Sequence, residues 1–324
     1  MTLRIHLLAW DNQRGLSHDI AVVEDALRAL GHEVTVSRLG SRRHDGAWKL
    51  RGMRLRMLLG APRFDINLSL EHVRPASFGL ARRNLLMPNP EWVSARGQRY
   101  LGRYDALLTK THEATRIFTD LGLRALEVGF RSRDRYDASV PRDPRGFLHA
   151  AGSSQLKGTA RLVEVWKRHP EWPTLTVLRG GPTAEDEGGA INLRIVHEHL
   201  PDAEVRRLQN SCPFHLCLSQ TEGWGHYLVE AMSCAAVVLA CDGAPMNQMI
   251  DARRGLPVQA VEGEAFHLAR TWQFDEDALE QAVERAIAMS AGEREALGAA
   301  ARRWYLDNEA NFTPRLGAAL DTLR

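Results

Sequence analysis

FHLCLSQTEGWGHYLVEAMSCAAVVLA, residues 214–240, runs from an apolar strand (FHLCLS) through a glycine-flanked loop into a helix from about Gly225 to Ser233, then into a second strand (AVVLA). A strand, a helix and another apolar strand in fewer than thirty residues make a βαβ unit, and such a unit implies parallel pairing. In open parallel sheets ligands bind where strands end and helices begin, because helix N-termini attract anions. The loop TEGWG holds that position; it contains one carboxylate, Glu222, and a second, Glu230, stands eight positions on. With the helix starting near Gly225, Glu230 lies about five residues in, roughly 8 Å along the axis. That span suits two hydroxylated rings joined by a diphosphate.

Upstream the same alternation continues: strand FLHAAG, a helix from Thr159 to His169, strand TLTVL, strand LRIV and helix DAEVRRLQN. The first half carries its own series. Ile5 to Trp10 reads as a strand, Gly15 as part of a loop, and residues from about His18 to Leu30 as a helix with Val22, Ala26, Leu27 and Leu30 on one face; strand HEVTVSRL follows. Further strands are expected at Phe64 to Leu70, Asn84 to Met87, Ala106 to Leu108 and Leu126 to Val128. Between the two series RSRDRYDASVPRDPRG is polar, has two prolines and lacks apolar periodicity, which reads as a linker. The expectation is an α/β protein of two doubly wound, Rossmann-like domains, 1–145 and 146–304, with a C-terminal helix of about 305–324 packing back onto the first.

With 324 residues the chain fits two domains, and 44% hydrophobic with 25% charged residues is ordinary for a globular protein. No apolar run is long enough to span a bilayer. The start, MTLRIHLLAWDNQRG, reads as a first buried strand rather than a signal peptide, so a cytoplasmic location is expected. Cys212, Cys217, Cys234 and Cys241 lack the spacing of a zinc site or disulfide framework and read as buried thiols. Charge is uneven: residues 1–145 hold 25 Lys+Arg against 16 Asp+Glu (net +9), the remainder 17 against 24 (net −7), which suggests two domains with different partners.

The segment resembles the GT-B glycosyltransferases of the large retaining family 4, whose signature is a Glu-x7-Glu segment, a helix reading EAM and a strand reading PVVA. Glu222, Gly223, Gly225, Glu230, Ala231 and Met232 match it, followed by Val237, Val238 and Ala240. The resemblance implies two domains facing across a cleft, and transfer from a nucleotide-diphosphate sugar with retention of configuration. It implies that Glu230 binds the donor ribose diol, that Glu222 holds hydroxyls of the transferred sugar, and that backbone N–H groups of Gly225, His226 and Tyr227 meet the diphosphate. AAGSSQLKG resembles the family's G-R-x(4 or 5)-K-G motif: Gly152, Lys157 and Gly158 match, and Ser153 stands where the family has arginine. Arg179 or Arg131 is the expected substitute. Glu222 and Lys157 are thereby the residues on which catalysis rests, and His197, with Ile195 beside it, is placed near the base.

In the first domain Gly15 matches a glycine-rich loop approaching donor phosphate and acceptor, with His18 next to it. Asn89, Glu91 and Trp92 follow the strand LLMP, where many members carry a histidine, and are candidate acceptor contacts. GAPMNQM resembles the family's G-G-x-x-E turn with Gln248 in place of the glutamate. No metal and no cofactor beyond the co-substrate are expected. The single DxD, Asp275 to Asp277, opens a helix and reads as a cap. From Arg38 to Arg63, Arg42, Arg43, Lys49, Arg51, Arg54 and Arg56 interleave with Trp48 and several Leu and Met residues. This stretch fits a solvated helix face, an anionic lipid or lipopolysaccharide surface, or a nucleic acid. The rival to an enzyme is a non-catalytic binding protein on a degenerate transferase fold, in keeping with Ser153 and Gln248.

Overall fold

Each half of the chain builds its own parallel sheet, and the two sheets differ in strand order. A computed structural model describes residues 2–10, 15–39, 45–60, 63–181 and 189–323. In the first half the order of elements is β1 (Arg4–Trp10), α1 (Gly15–Ala29), β2 (Glu33–Leu39), α2 (Asp45–Leu58), β3 (Phe64–Glu71), β4 (Ala81–Pro88), α3 (Ala95–Gln98), β5 (Ala106–Thr109), α4 (His112–Asp120) and β6 (Ala125–Glu127). The strands pair in parallel in the order β2-β1-β3-β4-β5-β6. Central strands covered on both faces read as unbroken apolar runs, which is why Ile5, Leu7 and Leu8 of β1 are all buried. The one polar residue among them, His6, hydrogen-bonds through Nδ1 to Asn67 Oδ1 at 2.9 Å and through Nε2 to Ser37 Oγ at 2.8 Å. Burial lowers its pKa.

The second half runs β7 (Phe147–Gly152), α5 (Thr159–Lys167), β8 (Leu175–Arg179), β9 (Leu193–Val196), α6 (Asp202–Ser211), β10 (Phe214–Cys217), α7 (His226–Ser233), β11 (Val237–Cys241), α8 (Met246–Met249), β12 (Gly255–Val258), β13 (Ala260–Glu262), β14 (Trp272–Phe274), α9 (Glu276–Ala288) and α10 (Ala291–Asp321). Its six-stranded parallel sheet has the order β12-β11-β10-β7-β8-β9, and β13 pairs antiparallel with β14. The strand β12 was not legible in GLPV, a short run with a glycine and a proline at a sheet edge. Gly255 is required there because a Cβ would stand 2.6 Å from the Val238 carbonyl oxygen.

The chain divides into two units: 1–130, 266–269 and 310–324 form the first, and 131–265 and 270–309 the second. The first boundary falls at Arg131 rather than at 145, because the polar stretch read as a linker is bound to the second unit. Arg135 is buried, with Nη1 bridging both carboxylate oxygens of Asp202 at 2.9 and 2.8 Å and Nε donating to Gln209 Oε1 at 2.7 Å. Its carbonyl accepts from Asn210 Nδ2 at 2.7 Å. Helix α10 leaves the second unit after Glu309, not at 304. From there Phe312 packs edge-on to Phe130 with ring centroids 5.4 Å apart, and Gly317 lies against Leu30 within the first unit. Helix α1 begins at Gly15, three residues before the expected start, and so takes Gly15 out of the loop. Unpaired N–H groups in the first turn of a helix tolerate the polar residues found there.

All four cysteines are free and buried. Burial pushes the thiols of Cys234 and Cys241 up to about 12, which keeps them protonated. Asp275 caps α9 by accepting the Ala278 N–H at 2.9 Å. No helix among the described residues is long and apolar enough to cross a membrane.

Candidate functional site

In the second unit β7 and β10 are neighbours whose onward connections run to opposite sides, β7 toward β8 and β9, β10 toward β11 and β12. Loops diverge at such a switch point and leave a crevice beyond the strand ends. Two contacts hold the loops at a fixed spacing. Gln220 N–H donates to the Leu156 carbonyl at 2.8 Å, and Gly158 sits so close to Leu218 that a Cβ would lie 2.7 Å from its carbonyl oxygen. With φ at +68°, Gly158 occupies a region other residues rarely adopt.

That spacing brings Lys157, from the β7 loop, onto Glu222, from the β10 loop. The Lys157 ammonium pairs with Glu222 Oε1 and lies 3.8 Å from the centroid of the Tyr227 ring. Glu222 Oε1 also accepts from Ser219 Oγ at 2.5 Å. Since that hydroxyl's proton is committed, the Tyr227 phenol 2.6 Å away donates to Ser219 Oγ. Burial raises the Tyr227 pKa well above its ordinary value, in keeping with a phenol that keeps its proton. Lys157 and Glu222 are only 14% and 12% exposed, so their attraction is little screened.

Behind the pair His149 is fully buried, donating from Nδ1 to the Leu216 carbonyl at 2.7 Å and accepting at Nε2 from Thr159 Oγ1 at 2.9 Å. Burial first, then the charges of Lys157 and Arg179, bring its pKa down to about 4. A neutral ring thus ties the start of α5 to β10. Arg179 ends β8 in register with Gly152 of β7, and the Gly180 N–H donates to the Gly152 carbonyl at 2.9 Å. Its backbone therefore stands beside Ser153. His197, one residue beyond β9, donates from Nδ1 to the Gly181 carbonyl at 3.0 Å.

Gly225, at φ +84°, turns the chain into α7 immediately ahead of His226 and Tyr227, and the buried Gly223 precedes it. Glu230 is half-buried and accepts from Gln209 Nε2 at 3.2 Å. Sequence reasoning missed the anchor of this turn, Ser132. Its Oγ accepts from Trp224 Nε1 at 3.0 Å and is hydrogen-bonded to His226 Nδ1 at 2.8 Å, while its N–H donates to Glu309 Oε1 at 3.1 Å. Its carbonyl accepts from the Tyr305 hydroxyl at 3.0 Å. Burial pushes the Glu309 carboxyl up to about 7. Ser132 lay in the stretch read as linker, and nothing local marks it as a hub.

The first unit has its own switch point, between β1 and β3. Gly15 opens α1 there, and the residues before it, 11–14, lie outside the described residues. His18 is half-buried, and Asp19 beside it forms a buried pair with Lys110 at 2.8 Å. Asn89 and Glu91 are buried, whereas Trp92 is 47% exposed and meets Phe266 edge-on at 5.9 Å. Asn89 Nδ2 donates to Glu71 Oε1 at 3.4 Å. Glu71, which ends β3, and Arg74, three residues on, went unread although they hold the position where ligand loops belong.

The basic segment forms α2. Arg42 and Arg43 lie outside the described residues. Leu50 packs with Leu8, Leu39 and Leu80, while Trp48, Leu55, Leu58 and Leu59 are exposed. Arg54 Nη2 donates to the carbonyls of Ala76 and Phe78 at 2.9 and 3.1 Å, a structural use of one of the cations.

No protein-family model matches the chain, and no curated protein does. Solved structures do. A sucrose-phosphate synthase from Thermosynechococcus elongatus matches with TM-score 0.73 at 13% identity, covering 99% of each chain. A trehalose-6-phosphate protein from E. coli, bound with UDP-2-fluoro glucose, matches with TM-score 0.70 at 13% identity over 98% of each chain. A glycosyltransferase from Rickettsia africae matches with TM-score 0.69 at 12% identity, covering 99% of this chain and 97% of that one. The fold is GT-B. Two Rossmann-like domains of parallel strands, expected from the sequence, are what these likenesses and the two sheets show.

Proposed function

We propose that the chain is a glycosyltransferase that moves a sugar from a nucleoside-diphosphate donor to an acceptor hydroxyl, with retention of configuration. The observation that carries this reading is the meeting of Lys157, Glu222 and Tyr227 at the β7/β10 switch point, with a glycine-led helix bearing Glu230 alongside. The E. coli neighbour is bound with UDP-2-fluoro glucose, and a trehalose-6-phosphate synthase among the matches is described in terms of glycosyl transfer with retention.

In this reading Glu230 accepts from the ribose hydroxyls and Glu222 from hydroxyls of the transferred sugar. The N–H groups of His226 and Tyr227 face the diphosphate. Lys157 stabilises the charge that develops as the sugar–phosphate bond breaks, and Arg179 supplies the cation that Ser153 does not. A phosphate oxygen takes the acceptor proton as the acceptor oxygen attacks on the same face, so the products are the glycoside and a nucleoside diphosphate carrying that proton. The work of the protein is positioning and electrostatic stabilisation. Because Lys157 starts out paired with Glu222, donor binding exchanges a carboxylate partner for phosphate and frees Glu222 for the sugar.

The first unit is read as the acceptor domain, with His18, Asn89, Glu91 and Trp92 toward the acceptor. The exposed basic and apolar face of α2 supports a negatively charged surface as partner, and a cytoplasmic protein peripheral at a membrane fits it. Salt-dependent retention on anionic vesicles, compared with retention on DNA, separates lipid from nucleic acid. A thermal-shift panel of UDP-, GDP-, ADP- and CMP-sugars identifies the donor, since a ligand stabilises the folded state according to its occupancy. Glu222→Ala and Glu230→Ala are each expected to abolish consumption of that donor. Unchanged turnover in both variants sinks the enzyme reading. The second reading, donor binding without turnover, is favoured by Ser153 and by the neutralised Lys157; a stabilising donor that is never consumed would establish it.

A further inference from the structure

We infer that the first unit holds an oxyanion subsite anchored on Arg74, and that its ligand is a hydroxylated ring carrying a phosphate or a carboxylate. That this ligand is the acceptor rests on the function proposed above; the subsite itself does not.

The residues come from three strand ends around the β1/β3 switch point: Trp10 ends β1, Glu71 ends β3 with Arg74 three residues on, and Asn89 follows β4. Arg74 places Nε and Nη2 in the interior without a hydrogen-bond partner, and its Cζ lies 5.7 Å from the centroid of the Trp10 ring. A buried donor left unmade costs about 1–3 kcal/mol, more for a charged group, so natural proteins seldom keep one without a use. The charge of the adjacent Glu71 favours the guanidinium, but it makes no hydrogen bond to Nε or Nη2. Glu71 accepts from Asn89 Nδ2 at 3.4 Å and has His72 Nδ1 3.1 Å away. Glu71 also holds a positive φ of +60°, a strained conformation for a non-glycine residue and of the kind that gathers at ligand sites. The Arg74 backbone is fixed by its N–H bond to the Tyr104 hydroxyl at 2.9 Å.

A guanidinium fork matches the oxygens of phosphate or carboxylate two at a time. Asn89 Oδ1 is likewise buried without a partner and lies next to Glu71, where it can accept from a hydroxyl. The Trp10 ring, over which the Arg74 guanidinium lies, brings an aromatic surface to the same strand ends for a ligand ring to pack beside. Oxyanion, hydroxyl and ring are therefore each matched by a named group.

Calorimetric titration of the full chain with glucose 6-phosphate, glucuronate and glucose tests this. One of the anionic sugars is expected to bind at least about tenfold more tightly than glucose, and the arm that does so tells phosphate from carboxylate. Arg74→Ala is expected to erase the preference, and Arg74→Lys, which keeps the charge and loses the fork, to restore only part of it. Equal binding of all three sugars by the native protein overturns the proposal, as does a preference that survives in Arg74→Ala. If Arg74→Ala does not fold, Arg74→Gln takes its place and is expected to erase the preference, with Arg74→Lys again keeping only part of it; a preference that survives in full in Arg74→Gln overturns the proposal. In parallel the nucleotide selected by the donor panel is titrated: its affinity is expected to be the same in every Arg74 variant. Absence of nucleotide binding to the native protein defeats the donor reading and leaves the oxyanion result standing.

Discussion

The two units use one architecture and arm it differently. In the second unit the groups at the switch point are matched to one another: Lys157 to Glu222, Glu222 to Ser219, Ser219 to Tyr227. In the first, Arg74 keeps two buried donors unmatched and Glu71 sits in a strained turn. The difference teaches that a crevice beyond strand ends is only a place. A preassembled charge cluster suits a ligand whose own charge exchanges into it, whereas an unmatched guanidinium suits one that arrives with the missing partner.

The strongest way to break the comparison is to remove its charged centre. Lys157→Ala is expected to lower donor consumption by about a hundredfold or more, the scale for losing one preorganised group on a developing charge. Lys157→Arg, too long for the Tyr227 face, should recover little. Steady-state assays on the identified donor check both, and full activity in Lys157→Ala would dissolve the assigned cluster. Next in size is the spacing of the loops. Gly158→Ala must move the Leu218 carbonyl as well as hold φ at +68°, so a loss of about 1–3 kcal/mol is expected in urea melts. Gly152→Ala, at φ +62° with open space around its Cβ position, should cost less. Equal losses would show that strain alone matters and that the contact does not.

A smaller effect concerns pH. His149 and His215 are buried with folded pKa values of about 4, below the ordinary 6.5. Their contribution is present above 6.5 and lost as pH falls toward 4. Glu309 is the reverse case: its folded pKa of about 7 lies above the ordinary 4.5. Its contribution is complete below 4.5 and lost as pH rises through 7. Unfolding midpoints measured from pH 4 to 8 should therefore fall on both sides. Glu309→Gln should flatten the alkaline side and steepen the acid side above pH 4.5, since its amide oxygen still accepts the Ser132 N–H; an unchanged alkaline slope would remove Glu309 from the account.

The second unit was readable because its information is local. Glu222, Gly225 and Glu230 lie within nine residues, and strand, turn and helix announce one another there. The meeting of Lys157 with Glu222, 65 positions apart, was legible only through a family pattern, while their direct pairing was not. Ser132 and Glu309 are 177 positions apart and neither carries a local signal. Arg131 to Gly146 misled for a physical reason: its polarity reads as solvation, yet Arg135 spends its charge on Asp202 inside a unit. Arg74 was lost among the many basic residues of the first half. Only burial distinguishes it, and burial is a property of the fold.

Residues 310–323 belong to the first unit, where Phe312, Leu316, Leu320 and Leu323 are buried. They leave the ribosome only after the whole of the second unit. Domains made in sequence usually fold in sequence, the N-terminal one first. Here the earlier-made unit lacks part of its apolar interior until the later one has been synthesised in full. The nascent first unit must wait with that surface uncovered, so a chaperone that shields apolar surface has most to do before residues 310–323 emerge.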